Sequence, residues 1–144
     1  MAEIRLSAEH KYAAELAALI AADQGGRPPG WAMSPRAVAT YILGSDKPVG
    51  GVQIAPKYIG DRGLVEVAIA TLASDRALML AGEPGTAKSW LSEHLAAAIS
   101  GTSALVVQGT AGTSEEHLKY GWNYALLLAE GPSPRALVPS PVLR

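Results

Sequence analysis

Between an unbroken apolar run, Ala77-Leu78-Met79-Leu80-Ala81, and a helix-periodic stretch from Ser89 to Ser100, the chain carries Gly82-Glu83-Pro84-Gly85-Thr86-Ala87-Lys88-Ser89. A short apolar run that ends at glycine has the pattern of a buried parallel strand. On the other side Leu91, Leu95 and Ile99 share one helical face, and Gly101 stands where a helix C-cap belongs. Strand, glycine-bearing loop and helix in this order restrict the chain to an α/β arrangement with a phosphate-binding loop at the start of a helix. Ala87 is the departure, since the standard pattern has glycine there.

The chemistry of such a loop follows from its backbone. Pro84 has no N–H, so the donors that wrap a phosphate are those of Gly85, Thr86, Ala87, Lys88 and Ser89, aided by the helix dipole. The Lys88 ammonium suits the β- and γ-phosphates of a nucleotide, and the Ser89 hydroxyl suits Mg²⁺. Gly82 and Gly85 allow backbone angles that other residues resist. A methyl at Ala87 is tolerated only if that residue keeps a negative φ. The plain alternative, a glycine turn with an incidental lysine, leaves the Lys-Ser placement and the flanking periodicity as coincidences.

The rest of the composition mainly excludes. The 144 residues suffice for a core, and the 49% hydrophobic content leans on alanine, so helices should dominate. There is no cysteine, which removes disulfides, thiolate metal sites and cysteine nucleophiles. No apolar run reaches membrane-spanning length, no signal-peptide pattern opens the chain, and a net charge of −1 argues against nucleic acid as a partner. These readings point to a cytoplasmic protein. His10, His94 and His117 share no metal-ligand spacing and read as structural or solvated, and Glu115-Glu116 fit a capping box better than a catalytic pair. Ser89 lacks the Gly-x-Ser-x-Gly elbow of an acyl nucleophile.

Ahead of the loop, Ser7 to Ala22 reads as an amphipathic helix with Tyr12, Leu16, Leu19 and Ile20 as its stripe. Asp23 to Gly30 breaks the pattern, and Ser34-Pro35 starts a helix that ends at Gly44. Ser45 to Gly60 reads as a surface loop leading towards the nucleotide site. Asp61 caps a helix whose buried side is Leu64, Val65, Ala68, Ile69 and Leu72, and the turn Ser74-Asp75-Arg76 follows. Beyond Gly101, a second strand is expected over Ser103 to Gln108, then a short helix from Thr113-Ser114-Glu115-Glu116 ending near Gly121. Tyr124 to Ala129 and Ala136-Leu137-Val138, joined by Gly131-Pro132-Ser133-Pro134, read as a β-hairpin. Trp90 should pack against the sheet.

With these segments in order, the chain resembles the N-terminal part of AAA+ ATPases of the MoxR-like group. The loop Gly82 to Ser89, with alanine before lysine, is a form common in that group. Tyr58-Ile59-Gly60-Asp61-Arg62 resembles the short box before the first AAA+ helix, which implies that Ile59 and Gly60 contact the base. Gln108 to Tyr120, with the hairpin and Val138-Pro139-Ser140-Pro141, resembles the second strand and a hairpin insertion. The resemblance covers roughly Pro56 to the end and implies a three-layer αβα P-loop NTPase core, incomplete here, with a mainly helical N-terminal extension. The corresponding domains are residues 1–52, extension and linker, and 53–144, the first part of the nucleotide-binding domain. ATP or ADP and Mg²⁺ are the implied ligands, bound by Gly82, Glu83, Pro84, Gly85, Thr86, Ala87, Lys88 and Ser89, with Ser89 on the metal.

No apolar strand ending in an acidic residue follows the loop, so the Walker-B carboxylate, the sensors and the arginine finger would lie beyond Arg144. This implies an N-terminal piece of a longer ATPase, incomplete for catalysis, and leaves open whether the chain hydrolyses ATP alone. The full-length form would be a ring, commonly a hexamer, that remodels or assembles a protein client in a chaperone-like way. Two other readings remain open from the residues. A small P-loop phosphotransferase fits the length, but only Arg135 and Arg144 follow the loop as arginines for a lid. A partner-binding module that has lost nucleotide function predicts no response to nucleotide.

Overall fold

The computed structural model describes residues 5–141, except for the side chain of His117; the expectations about His117 and about the chain end at Val142 to Arg144 lie outside the described residues. Two compact units follow each other along the chain, one running to Ser103 and one beginning at Ala104.

The first unit is helical. α1 (Ala8–Lys11), α2 (Ala13–Ala22), α3 (Pro35–Leu43), α4 (Arg62–Ala73) and α5 (Lys88–Ser100) carry it. α3 is the centre, packing against α2, α4 and α5. Its Val38, Tyr41 and Ile42 meet Leu16 and Leu19 of α2, Val65 and Ile69 of α4, and Leu91 and Leu95 of α5 in one core. Residues on both sides of position 52 therefore share that core.

The starts of α3 and α4 are the ones their caps foretell. The Ser34 hydroxyl accepts from Ala37 N–H at 3.3 Å and donates to Asp23 Oδ1 at 2.7 Å, and Asp23 Oδ2 accepts from Ser34 N–H at 2.7 Å. The Ser34 hydroxyl and backbone N–H hold the Asp23 carboxyl down to about 2. Asp61 Oδ1 accepts from Gly63 N–H at 2.8 Å to open α4. Gly44 and Gly101 close α3 and α5 at positive φ.

Several expectations need correction. The first helix breaks at Tyr12, at φ −113° and ψ 26°, which turns the Tyr12 ring towards Tyr41 and His94. Ser7 bonds His10 Nδ1 instead of capping, and Ile20 is 38% exposed. Ala77 to Ala81 has no regular structure and Met79 is 86% exposed, while in Ser103 to Gln108 Val106 is 67% exposed and its N–H donates to Ala104 O at 3.0 Å in a tight turn. Neither forms a strand; a β-strand needs a neighbour's donors and acceptors, and the one ladder among the described residues lies elsewhere. The three-layer αβα core is thus not formed by the described residues, which are mainly helical.

The second unit holds that ladder. β1 (Tyr120–Trp122) runs antiparallel to β2 (Leu137–Pro139), with Gly121 opposite Val138. α6 (Glu115–Leu118) precedes it, ends three positions before the expected Gly121, and has no cap bond from the Ser114 side chain. The expected hairpin of Tyr124 to Ala129 is instead α7 (Tyr124–Glu130), whose N-cap Asn123 accepts from Leu126 N–H at 3.3 Å. That cap decides between helix and strand for an apolar run both could use.

A polar seam runs through the first unit's core. The Lys57 side chain is 1% exposed. Its ammonium donates to Glu15 Oε2 at 2.6 Å and Ala55 O at 2.5 Å, and lies 4.4 Å from the Tyr12 ring centre and 4.8 Å from that of Tyr41. His94, fully buried, shares a 2.9 Å hydrogen bond with the Tyr41 hydroxyl. Trp90 lies 4.5 Å from His94, centroid to centroid, and its Nε1–H donates to Lys57 O at 2.7 Å, so it packs on this seam and not on a sheet.

Burial pushes His94 down to about 4; nearby Glu93 opposes this, and Lys57, Arg5 and Lys11 reinforce it. Between pH 6.5 and 4 the unfolded chain binds a proton here that the folded chain refuses, so stability is complete above 6.5 and falls as the pH drops through that window. The expected loss is about 3 kcal/mol. Urea unfolding at pH 7 and pH 4.5 measures it, and His94→Gln should flatten the slope. An equal slope in the variant would remove His94 as its cause.

Candidate phosphate-binding loop and groove

The loop reaches α5 through a run of unusual backbone. Gly82 sits at φ +154°, Gly85 at +83° and Ala87 at +58°. Ala87 is the N-cap of α5 and contributes no side-chain bond, while its carbonyl accepts from Leu91 N–H at 2.9 Å. Among the described residues, none accepts from the backbone N–H groups of Gly85, Thr86, Ala87, Lys88 and Ser89. Those of Ala87, Lys88 and Ser89 are orphan donors of the N-terminus of α5, at the positive end of its dipole, and Gly85 and Thr86 add two more from the loop before it.

The Lys88 ammonium folds back over the loop. It donates to Gly82 O at 2.9 Å, Glu83 O at 2.5 Å and Thr86 Oγ1 at 3.0 Å, and the Thr86 hydroxyl donates to Glu83 O at 2.8 Å. The cation is thereby held at the loop's hollow. A Cβ at Gly82 would stand in ordinary contact, 3.4 Å from Thr86 Oγ1 and 3.9 Å from Lys88 Nζ, so it is the φ of +154° and not want of space that favours glycine there. Free donors, a cation folded onto the loop and a backbone that favours glycine fit a phosphate group. Ser89, in the first turn of α5, is exposed.

The loop forms one wall of a groove of about 600 Å³. Gly82, Thr86 and Lys88 stand on that side, facing Tyr58, Asp61 and Gly63 at the start of α4. Leu64, Val67, Leu78 and Leu80 supply an apolar floor. Of the two expected base contacts, Ile59 is 93% exposed and does not line the groove, and a Cβ on Gly60 would meet the Tyr58 ring at 2.9 Å. Tyr58 and Asp61, which do line it, were not singled out from the sequence as site residues. The signal was their place on either side of the Ile59-Gly60 pair.

The requirement for a negative φ at Ala87 is not met: the residue is left-handed. The neighbouring geometry imposes this, at a cost of about 1–2 kcal/mol for a residue with a Cβ. Ala87→Gly should therefore raise the unfolding free energy by about 0.5–1 kcal/mol, the glycine's extra chain entropy offsetting the rest. Denaturant midpoints of the two proteins test this, and a lower midpoint for the glycine form would refute the strain.

Residues 77–144 match the family model for the AAA domain of the dynein-related subfamily. That match supports an AAA+ P-loop NTPase assignment for this segment, and with it nucleotide binding. The chain is also similar to an Escherichia coli (strain K12) protein, "Uncharacterized protein YehL", with 51% identity over 131 residues. The alignment takes in 91% of this chain, which spans about a third (35%) of the length of that relative. No solved structure matches. No helix among the described residues is long and apolar enough to cross a membrane.

Proposed function

We propose that the chain binds ATP with Mg²⁺ at the Gly82–Ser89 loop, as the nucleotide-binding part of a larger MoxR-like AAA+ ATPase. The observation that carries this is the set of unclaimed N–H donors from Gly85 to Ser89 at the start of a 13-residue helix, with the Lys88 ammonium folded back onto the same loop. In this reading the backbone N–H groups hold phosphate oxygens, and Lys88 exchanges its carbonyl contacts for phosphate oxygens. Ser89 offers its hydroxyl to the metal, which when bound neutralises charge between the phosphates. Residues 53–144 form the nucleotide-binding part and 1–52 a helical buttress.

The base lies towards Tyr58, with Ile59 and Gly60 on the same loop. The larger protein acts in the cytoplasm as a hexameric ring that couples hydrolysis to remodelling of a protein client.

Thermal melting with and without Mg-ATP tests the binding. At a concentration about 100 times the dissociation constant, a ligand specific to the folded state adds about 2.7 kcal/mol, which moves the midpoint by several degrees. A cooperative melt that stays in place at millimolar Mg-ATP would overturn the proposal.

A further inference from the structure

The segment that leads into the groove is fastened at three points before it arrives. From α2, Glu15 Oε2 accepts from Ala55 N–H at 3.2 Å and from the Lys57 ammonium at 2.6 Å. From α3, the Ile42 carbonyl accepts from Lys57 N–H at 2.8 Å and Tyr58 N–H at 3.2 Å. From α5, Trp90 Nε1–H donates to the Lys57 carbonyl at 2.7 Å. The next side chain is that of Tyr58, which lines the groove opposite the loop. Tyr58 packs so closely over Gly60 that a Cβ there would lie 2.9 Å from its ring, so this ring position needs glycine at 60.

A buried lysine held by a carboxylate and two aromatic rings is a costly way to anchor a surface loop, because both charges must be desolvated. Its geometric result is specific: α2 and α5 are tied to the same residue, one position before Tyr58.

Resting on the nucleotide reading above, we propose that Glu15, through Lys57, is a positioning residue for the nucleotide's aromatic base. It fixes Tyr58 in the orientation that receives a planar heterocycle beside the loop, and Trp90 is the second clasp on the same peptide. Neither residue touches the phosphates in this arrangement. Loss of a clasp lowers the fraction of molecules with the base wall in place, and apparent affinity falls by that fraction.

The test compares Mg-ATP with magnesium tripolyphosphate, which has the phosphates and no base, by calorimetric titration of the 144-residue chain. Glu15→Gln should weaken ATP about tenfold and leave tripolyphosphate unchanged, as expected if about one molecule in ten keeps a competent wall. Because Glu15→Gln leaves the Lys57 charge in the core and can unfold the chain, Trp90→Phe serves beside it. That variant keeps an aromatic ring at the position and removes the Nε1–H bond along with one ring of the indole, which also meets His94 and Arg5; it should shift ATP in the same selective way. Equal weakening of both ligands, or of neither, in Trp90→Phe would overturn the positioning role. A wild-type chain that binds tripolyphosphate as tightly as ATP would overturn the base wall while leaving the phosphate loop intact. Absence of binding by either ligand would fall on the nucleotide reading itself.

Discussion

Lys88→Ala should weaken Mg-ATP binding by about ten- to a hundredfold, the equivalent of one charge-assisted hydrogen bond of about 1.5–3 kcal/mol. The same change should scarcely alter the stability of the free chain. Lys88 is bonded to Gly82 O, Glu83 O and Thr86 Oγ1, but all three contacts are exposed to water, and exposed contacts of this kind are worth within about 0.5 kcal/mol. Calorimetric titration and urea unfolding of the same two proteins measure both quantities. The pairing is the point of the experiment: affinity falls and the melting midpoint without ligand stays. If the variant unfolds more easily by as much as it loses in binding, Lys88 is a brace for the loop and not a phosphate ligand. Arginine at the same position is not a neutral control, because its planar fork does not reproduce a compact point charge.

The second large effect is on folding. Lys57→Ala leaves the Glu15 carboxylate in the core with only the Ala55 N–H, and strips the cation from Tyr12 and Tyr41. Breaking a buried pair by removing one partner costs about 3–5 kcal/mol. That is a large share of the roughly 5–15 kcal/mol that holds a small domain together. Removing both charges, as in Lys57→Met with Glu15→Leu, should recover most of the loss, because no unpaired charge remains and the apolar replacements fill similar space. Urea midpoints of wild type, single and double variants form the cycle. A single-variant loss under about 1 kcal/mol, the range of an exposed ion pair, would show that Lys57 is not buried as described.

Local chemistry was legible in the sequence wherever one side chain could satisfy a nearby backbone group. Ser34 and Asp61 cap α3 and α4, Gly44 and Gly101 end α3 and α5, and all four could be named from their letters. The phosphate loop could be named too, because glycines, lysine and the following helix lie within a few residues. What could not be read depends on partners distant in sequence. Ala77 to Ala81 has a strand's composition but no ladder among the described residues, and composition alone cannot supply the missing hydrogen bonds. Tyr124 to Ala129 was misread because Asn123, the cap that makes it a helix, was passed over. Lys57 looked like one more loop lysine. Its burial is decided by Glu15, 42 residues earlier, and by two tyrosines brought together only by the packing of α2 on α3. The left-handed Ala87 was invisible for another reason, since alanine gives no local sign of an imposed positive φ.

α5 is also a lever. Its 13 residues span about 20 Å, with the loop at one end. Near the other end the Ile99 carbonyl accepts from Ala32 N–H at 2.7 Å, two residues before the cap of α3. Leu91, Leu95 and Ala98 key the rod into the core along its length. One rigid element therefore joins the loop, at its first turn, to the segment that opens the central helix, at its last.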